Sequence, residues 1–264
     1  MGFICSFILA GFALQLAAAW WPIRVFDDDK EVVLDVVALV VALVTQIAIA
    51  AVAFPAISSI QWVPFVSGGY HYLLTLTPLE AGLFYFLVVD FIAYWMHRLN
   101  HARWLWSTHA FHHSSRNLYW ASGMRGSPVH FLLLGIPSLI VQVFFSPEGY
   151  VLWLVLAYGV VHNSLIHSNV RLPRAINWVF VTGESHLVHH ARDTKLGNTN
   201  FGFLFTFWDR MFGTWTDPAS VAPDYPLGLG YEVSPMRLVA GLPPRSASSS
   251  RLAAARLQNV AAGD

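Results

Sequence analysis

Long apolar runs, broken by charge, proline or histidine, set the first reading of the chain. Residues 3–21, 32–54, 79–99, 129–146 and 149–167 each approach the roughly 20 apolar residues that cross a bilayer core. The first run has no Lys or Arg ahead of it and ends in Trp20-Trp21. It therefore reads as an uncleaved span rather than a secretory leader, which wants a basic start and a small-residue cleavage site. An acidic loop follows (Asp27, Asp28, Asp29, Glu31). The one charge of the second run, Asp35, stands near its end and is expected to reach water. Pro55, Pro64, Gly68, Gly69 and Pro78 mark a connector over 55–78. The third run contains Asp90, which a lipid-facing position would not tolerate cheaply. Ser146-Pro147-Glu148-Gly149 turns the last two runs into a helical hairpin. Residues 171–217 are amphipathic, and 218–264 become rich in Pro, Ser and Ala. The expected organisation is N-terminal transmembrane helices over 1–56, a connector and the start of the third span over 57–86, a histidine-rich domain over 87–216, and a partly disordered tail over 217–264.

Composition sharpens this picture. Apolar types make up 56% of the chain and charged types 11%, against roughly 45–50% and about 25% in soluble domains. The formal net charge is zero, so nothing points to a nucleic-acid partner. The single cysteine, Cys5, excludes an internal disulfide, a CxxC zinc site and an iron–sulfur cluster within the chain. Any metal must rest on histidine, and there are 12. Of the 15 Lys and Arg, all but Arg24 and Lys30 fall at position 98 or later. Short positive loops stay cytoplasmic, so the histidine clusters are expected to face the cytoplasm.

Histidines concentrate in His97 to His113, H-R-L-N-H-A-R-W-L-W-S-T-H-A-F-H-H. His97 and His101, four residues apart, are neighbours on one helix face, with Asp90 and Tyr94 on nearly the same stripe. His109, His112 and His113 stand at i, i+3 and i+4, and His186, His189 and His190 repeat that spacing. Three helical segments can thus point imidazoles at a common centre. Lone histidines usually belong to an ordinary core or surface, and His71 and His130 are read that way. Two triplets and an adjacent pair are not: uncoordinated, so many imidazoles at a membrane face would need many donors and acceptors, and would repel on protonation. Imidazole suits Zn, Cu, Fe and Ni. One ion takes three or four protein ligands in a zinc site, so this many rings imply two ions. No Glu-x-x-His pair is present, which separates the pattern from the carboxylate-bridged helical di-iron bundle. An all-nitrogen two-metal site at a membrane surface points to oxygen activation by non-haem iron.

These elements resemble the fatty acid hydroxylase / sterol desaturase superfamily of integral membrane di-iron oxygenases. The resemblance rests on Asp90-x3-Tyr94-Trp95-x-His97-Arg98-x2-His101, on His109-x2-His112-His113-Ser114, and on His167-Ser168-Asn169 with Asn177-Trp178-Val179. It continues in His186-x2-His189-His190, Asn200-Phe201-Gly202 and the ending Trp208-Asp209-Arg210-Met211-Phe212-Gly213-Thr214. The expected fold is all-α, with multi-pass transmembrane helices and a cytoplasmic histidine-rich helical cap holding a di-metal site. The resemblance implies two iron ions, with zinc as a substitute in purified material, O2 as oxidant, and His97, His101, His109, His112, His113, His167, His186, His189 and His190 as ligands. His162 is a further candidate: five residues from His167, it needs a kink to face the same way. Asp90, Tyr94, Asn169 and Asp209 suit outer positions, because a ligating imidazole usually donates its other N–H to a carboxylate or carbonyl. No catalytic group is expected beyond the metal ligands.

The implied reaction is oxidation of an unactivated C–H bond in a lipid, ending in hydroxylation or a double bond. The lipid would enter from the bilayer, with Phe84, Phe86 and Phe131 as candidates for lining its path. No haem-carrier domain, flavin site or Gly-x-Gly-x-x-Gly fingerprint is present, so electrons are expected from a separate ferredoxin or small haem protein fed by NAD(P)H. A bis-histidine haem protein would set histidines on facing spans at matching depth, and a metal transporter would set ligands at mid-bilayer. Both fit poorly with tight triplets at one membrane end. The boxes do not distinguish among lipid substrates.

Overall fold

The computed structural model describes residues 11, 13–20, 22–23, 32–60, 75–145, 149–222 and 224–244. Cys5, the acidic loop at 27–31, His71, the turn at 146–148 and residues 245–264 lie outside them. Among the described residues the architecture is all-helical, and extended pairing is limited to isolated bridges such as Phe180 with Phe205.

Six helices position the site. They are α1 (Val32–Ile60), α2 (Pro78–Asn100), the single turn α3 (Trp106–His109), α4 (Pro128–Phe145), α5 (Gly149–His167) and α6 (Gly183–His189). By length and composition two stretches can cross a membrane, Val32–Ala53 within α1 and Leu79–Asn100 within α2. Pro128–Val141 is apolar but shorter. Of the expected first span, residues 13–20 are helical. Val33, Val40, Leu43, Val44 and Ile47 of α1 are exposed, as a helix facing hydrocarbon requires. The connector expected from residue 55 begins later, because α1 runs on through Pro55 to Ile60.

α2 starts where its sequence says it should. Glu80 N–H donates to Thr77 Oγ1 at 3.3 Å and Thr77 N–H donates to Glu80 Oε2 at 2.8 Å, with Pro78 in the first turn. This reciprocal cap satisfies donors the helix cannot satisfy itself. α4 packs against both α1 and α2, and α5 packs against α6 (Gly183–His189).

Asp35 does not reach water. It is 2% exposed, its Oδ1 accepts from Arg125 Nε at 2.5 Å, and its Oδ2 accepts from the Tyr119 hydroxyl. Arg125 is itself fully buried. An ionised carboxylate in an apolar setting is tolerable only when paired and hydrogen-bonded, and the partner here lies 90 residues away.

Much of the stretch after 217 is packed. Helix α7 (Pro235–Val239) places Leu238 in a core with Ala38, Trp106, Ala110 and Phe111. Trp106 Nε1–H donates to the Tyr231 hydroxyl at 2.7 Å. Burying side chains of this size contributes about 1.5–3 kcal/mol each, so residues 218–244 help hold α3, and with it His109, against α1.

Candidate metal centre

Nine imidazoles converge into two buried groups. His97, His101, His109, His113 and His189 form the first, and His112, His167, His186 and His190 the second. Within each group one nitrogen per ring lies within 4.8 Å of all the others. The two triplets are divided between the groups in opposite senses. His109 and His113 (i, i+4) go to the first group while His112 (i+3) goes to the second. His186 and His190 (i, i+4) go to the second while His189 (i+3) goes to the first. His113 and His190 stack across the divide, centroids 4.3 Å apart and planes 20° from parallel.

The local backbone differs between the two triplets. The stretch His109–His113 is not one helix: α3 ends at His109 and a 3-10 turn spans His112–Ser114. His112 stands on that tighter turn, with its ring still stacked on His109, centroids 5.0 Å apart and planes 23° from parallel. The last box lies on α6, whose N-terminus is held where Ser185 Oγ accepts from Thr182 N–H at 3.0 Å. Thr182 Oγ1 in turn donates to Asn177 Oδ1 at 2.6 Å.

The hydrogen bonds fix the tautomers. A carbonyl oxygen only accepts, so a ring nitrogen bonded to one carries the proton. Nδ1 of His97 meets Phe201 O at 2.9 Å, Nδ1 of His112 meets Arg125 O at 3.1 Å, Nδ1 of His167 meets Asn163 O at 2.7 Å, and Nδ1 of His189 meets Thr199 O at 2.8 Å. Each of these rings therefore presents a lone pair at Nε2. His112 Nε2 and His167 Nε2 face each other at 3.2 Å with no proton on either. His167 to His186, His186 to His190 and His109 to His113 bring Nε2 atoms to 3.0, 3.1 and 3.1 Å. Nε2 of His97 and His189 is buried without a hydrogen-bond partner.

Facing lone pairs need a cation between them. A proton serves poorly: burial and the neighbouring rings push His109, His112, His113, His186, His189 and His190 well below the usual histidine range. A metal ion fits. At a metal–nitrogen distance of about 2.1 Å, ligands at a right angle lie about 3.0 Å apart, which matches the observed spacings. All-imidazole donor sets suit Fe, Zn, Cu or Ni.

The carboxylates act one step further out than expected. Among the described residues, Asp90 hydrogen-bonds no imidazole nitrogen. Its Oδ1 accepts from Leu204 N–H at 2.7 Å, and its Oδ2 from Phe205 N–H at 3.1 Å and Trp208 Nε1–H at 2.8 Å. Asp209 accepts from Phe201 N–H and Gly202 N–H, both at 2.8 Å, and from the Thr214 hydroxyl at 2.7 Å. Burial raises Asp209 to about 6 against those hydrogen bonds. The two aspartates clamp the segment 201–205, whose Phe201 carbonyl orients His97. A Cβ on Gly202 would come within 2.6 Å of Phe205 O and 2.8 Å of Asp209 Oδ2, so only glycine allows this approach. Tyr94 reaches the same segment through Thr214 Oγ1 at 2.9 Å. Asn169 accepts at its backbone carbonyl from Ile23 N–H at 3.1 Å.

His162 lies outside both groups. Its Nε2 donates to Phe203 O at 2.7 Å and its ring stacks on Tyr158. α5 stays regular past it, so the five-residue offset from His167 turns it away. Phe86 meets Tyr158 edge-on and Phe131 is buried. Three partners escaped the sequence reading: Asn198, whose Oδ1 meets His101 Nδ1 at 3.2 Å; Arg125, whose carbonyl holds His112; and His130, whose Nδ1 meets His109 Nδ1 at 2.9 Å. A histidine at the start of an apolar run, 17 residues after His113, was the available signal for the last.

Comparison with known proteins gives the same region. The fatty acid hydroxylase family model matches residues 82–214. The very-long-chain aldehyde decarbonylase GL1-11 of Oryza sativa subsp. indica is 32% identical over 140 residues, covering 51% of this chain and 52% of that protein. Methylsterol monooxygenase 2-2 of Arabidopsis thaliana is 30% identical over 137 residues, 50% and 51% of the two chains. Alkylglycerol monooxygenase of Caenorhabditis elegans is 32% identical over 133 residues, 48% of this chain and 25% of that one. The chain spans about half the length of the first two relatives. No solved structure matches.

Proposed function

Because the chain belongs to the fatty acid hydroxylase family, we propose that it is a membrane-bound di-iron oxidoreductase. It would use O2 to hydroxylate or desaturate an unactivated C–H bond of a lipid. The observation that carries this is the pair of imidazole groups whose lone pairs face one another within a buried, apolar setting. Relatives named for methylsterol, alkylglycerol and very-long-chain aldehyde chemistry support a lipid as substrate class.

Two iron ions held by these nine rings would supply the activation of O2 that carbon-centred oxidation requires; zinc would occupy the same nitrogens. What the chain itself does is hold and exclude. Backbone carbonyls of Phe201, Arg125, Asn163 and Thr199 keep four rings in the ligating tautomer. Asp90 and Asp209 fix the segment that carries the first of those carbonyls. Trp106, Phe111, Tyr94 and Val188 are buried around the groups and keep water out. The substrate would approach from hydrocarbon along α1 and α2, and the ring-bearing end would face the cytoplasm, where a separate electron-transfer protein docks.

The test is metal and product together. Anaerobically purified protein should carry two iron ions per chain, and lipids of expressing cells should show a new hydroxyl or double bond by mass spectrometry. His113→Ala and His190→Ala, one from each group, should each abolish the product. Metal at one ion per chain or fewer in active protein would refute the two-metal reading.

A further inference from the structure

We infer that His130, which stands outside the histidine boxes, is a positioning residue that fixes the ligating tautomer of His109 and braces the two imidazole groups against each other. The inference rests on the reading of His109 as a metal ligand.

His109 turns Nε2 toward the first group, 3.1 Å from His113 Nε2. A ring that ligates through Nε2 must keep its proton on Nδ1. That Nδ1 meets His130 Nδ1 at 2.9 Å. Only one of the two nitrogens can hold the proton of this bond, so His130 Nδ1 accepts and its own proton sits on Nε2. At His97, His112, His167 and His189 a carbonyl gives the same instruction and can give no other. At His109 the acceptor is a side chain with two tautomers, so the state of His130 decides whether His109 can ligate.

The placement of His130 is over-determined. Its backbone N–H donates to Ser127 Oγ at 3.2 Å, and that hydroxyl donates to Thr108 O at 2.7 Å, which ties the start of α4 to the residue before His109. Gly126 makes room for the ring: a Cβ there would come within 2.4 Å of His130 Cδ2. The imidazole is 2% exposed, and it lies face-on to His112 of the second group, centroids 5.3 Å apart and planes 25° from parallel. One side chain therefore hydrogen-bonds a ring of one group and stacks on a ring of the other.

The test compares His130→Leu, which fills the space without an acceptor, with His130→Asn, whose Oδ1 takes the place of Nδ1. Metal per chain is read across a series of chelator concentrations, the visible spectrum is read on Co(II)-loaded protein, and thermal unfolding is read on chelated protein. The leucine variant should retain metal about 10–100-fold less tightly, as loss of such a partner typically does, with an altered cobalt spectrum. The asparagine variant should stay near wild type, and chelated leucine variant should unfold close to chelated wild type. If the leucine variant fails to accumulate, His130→Gln replaces it, because its acceptor sits at the Nε2 position and cannot reach His109. Metal retention by the leucine variant equal to wild type would overturn the inference. So would an asparagine variant as weak as leucine, or a leucine defect equally large without metal. Wild-type protein that binds no metal would instead overturn the reading of His109 as a ligand, and the inference with it.

Discussion

Asp90→Asn isolates what a carboxylate does at this site when it touches no metal ligand. The side chain keeps its shape and loses one acceptor. Its two oxygens now take three donors: Leu204 N–H on one, Phe205 N–H and Trp208 Nε1–H on the other. An asparagine keeps most by setting its carbonyl toward Phe205 and Trp208. Its NH2 then confronts Leu204 N–H at the former 2.7 Å contact, donor against donor. A lost hydrogen bond to a charged group costs about 1.5–3 kcal/mol, and a stranded buried N–H about 1–3 kcal/mol more. The neutral amide recovers part of this through its lower desolvation cost, which leaves a net loss of about 3 kcal/mol. The displaced backbone is the segment whose Phe201 carbonyl orients His97. Affinity for the ion at the five-ring group should therefore fall about 10–100-fold, and the four-ring group should keep its ion. The assay is thermal unfolding in detergent, with and without chelator, beside metal analysis across a chelator series. Unfolding within about 0.5 kcal/mol of wild type, with both ions retained, would refute the argument. So would equal loss of both ions.

Asp35→Asn strands the buried Arg125 guanidinium and should cost about 3–5 kcal/mol, whereas the double variant Asp35→Leu/Arg125→Met should recover most of that loss; a single variant as stable as wild type would show that this ion pair does not hold α1 in place. His162→Phe should keep two metal ions per chain, because the ring lies outside both groups and bonds only Phe203 O among the contacts described; loss of one ion on metal analysis would return it to the ligand set. Acidification should destabilise the protein and release metal. Burial holds the folded-state pKa values of His109, His112, His113, His186, His189 and His190 well below the ordinary histidine value of about 6.5, so between the two the unfolded chain binds more protons. Stability is thus full above the unfolded pKa and falls as pH drops through it, by about 1.4 kcal/mol per ring from pH 7.5 to 5.5. A chelated protein whose unfolding temperature is flat over that range would contradict the burial of these rings.

The sequence by itself determined the histidine boxes, their family and the apolar stretches that can cross a bilayer, because each is a local pattern. Period and spacing fix which residues share a helix face, and nine of the ten proposed ligands lie in the two groups. Spacing stops at the end of its own element. The division of each triplet between two groups arises from the meeting of α2, α3, α5 and α6 in space, for the triplet on a regular helix as much as for the one that runs into a 3-10 turn at His112. The acceptors that set tautomers are mostly carbonyls, and every residue type carries one. No residue identity could mark Phe201 as the partner of His97 across 104 positions, or Arg125 as the partner of both Asp35 and His112. The sequence showed that Asp90 could not face lipid unpaired. The tertiary structure chose two amides and an indole rather than an imidazole, because the chain over 204–208 passes within hydrogen-bond distance of that carboxylate. His130 lacked a repeat or a box and so carried no periodic signal; only the packing of α4 against α3 brings it to His109.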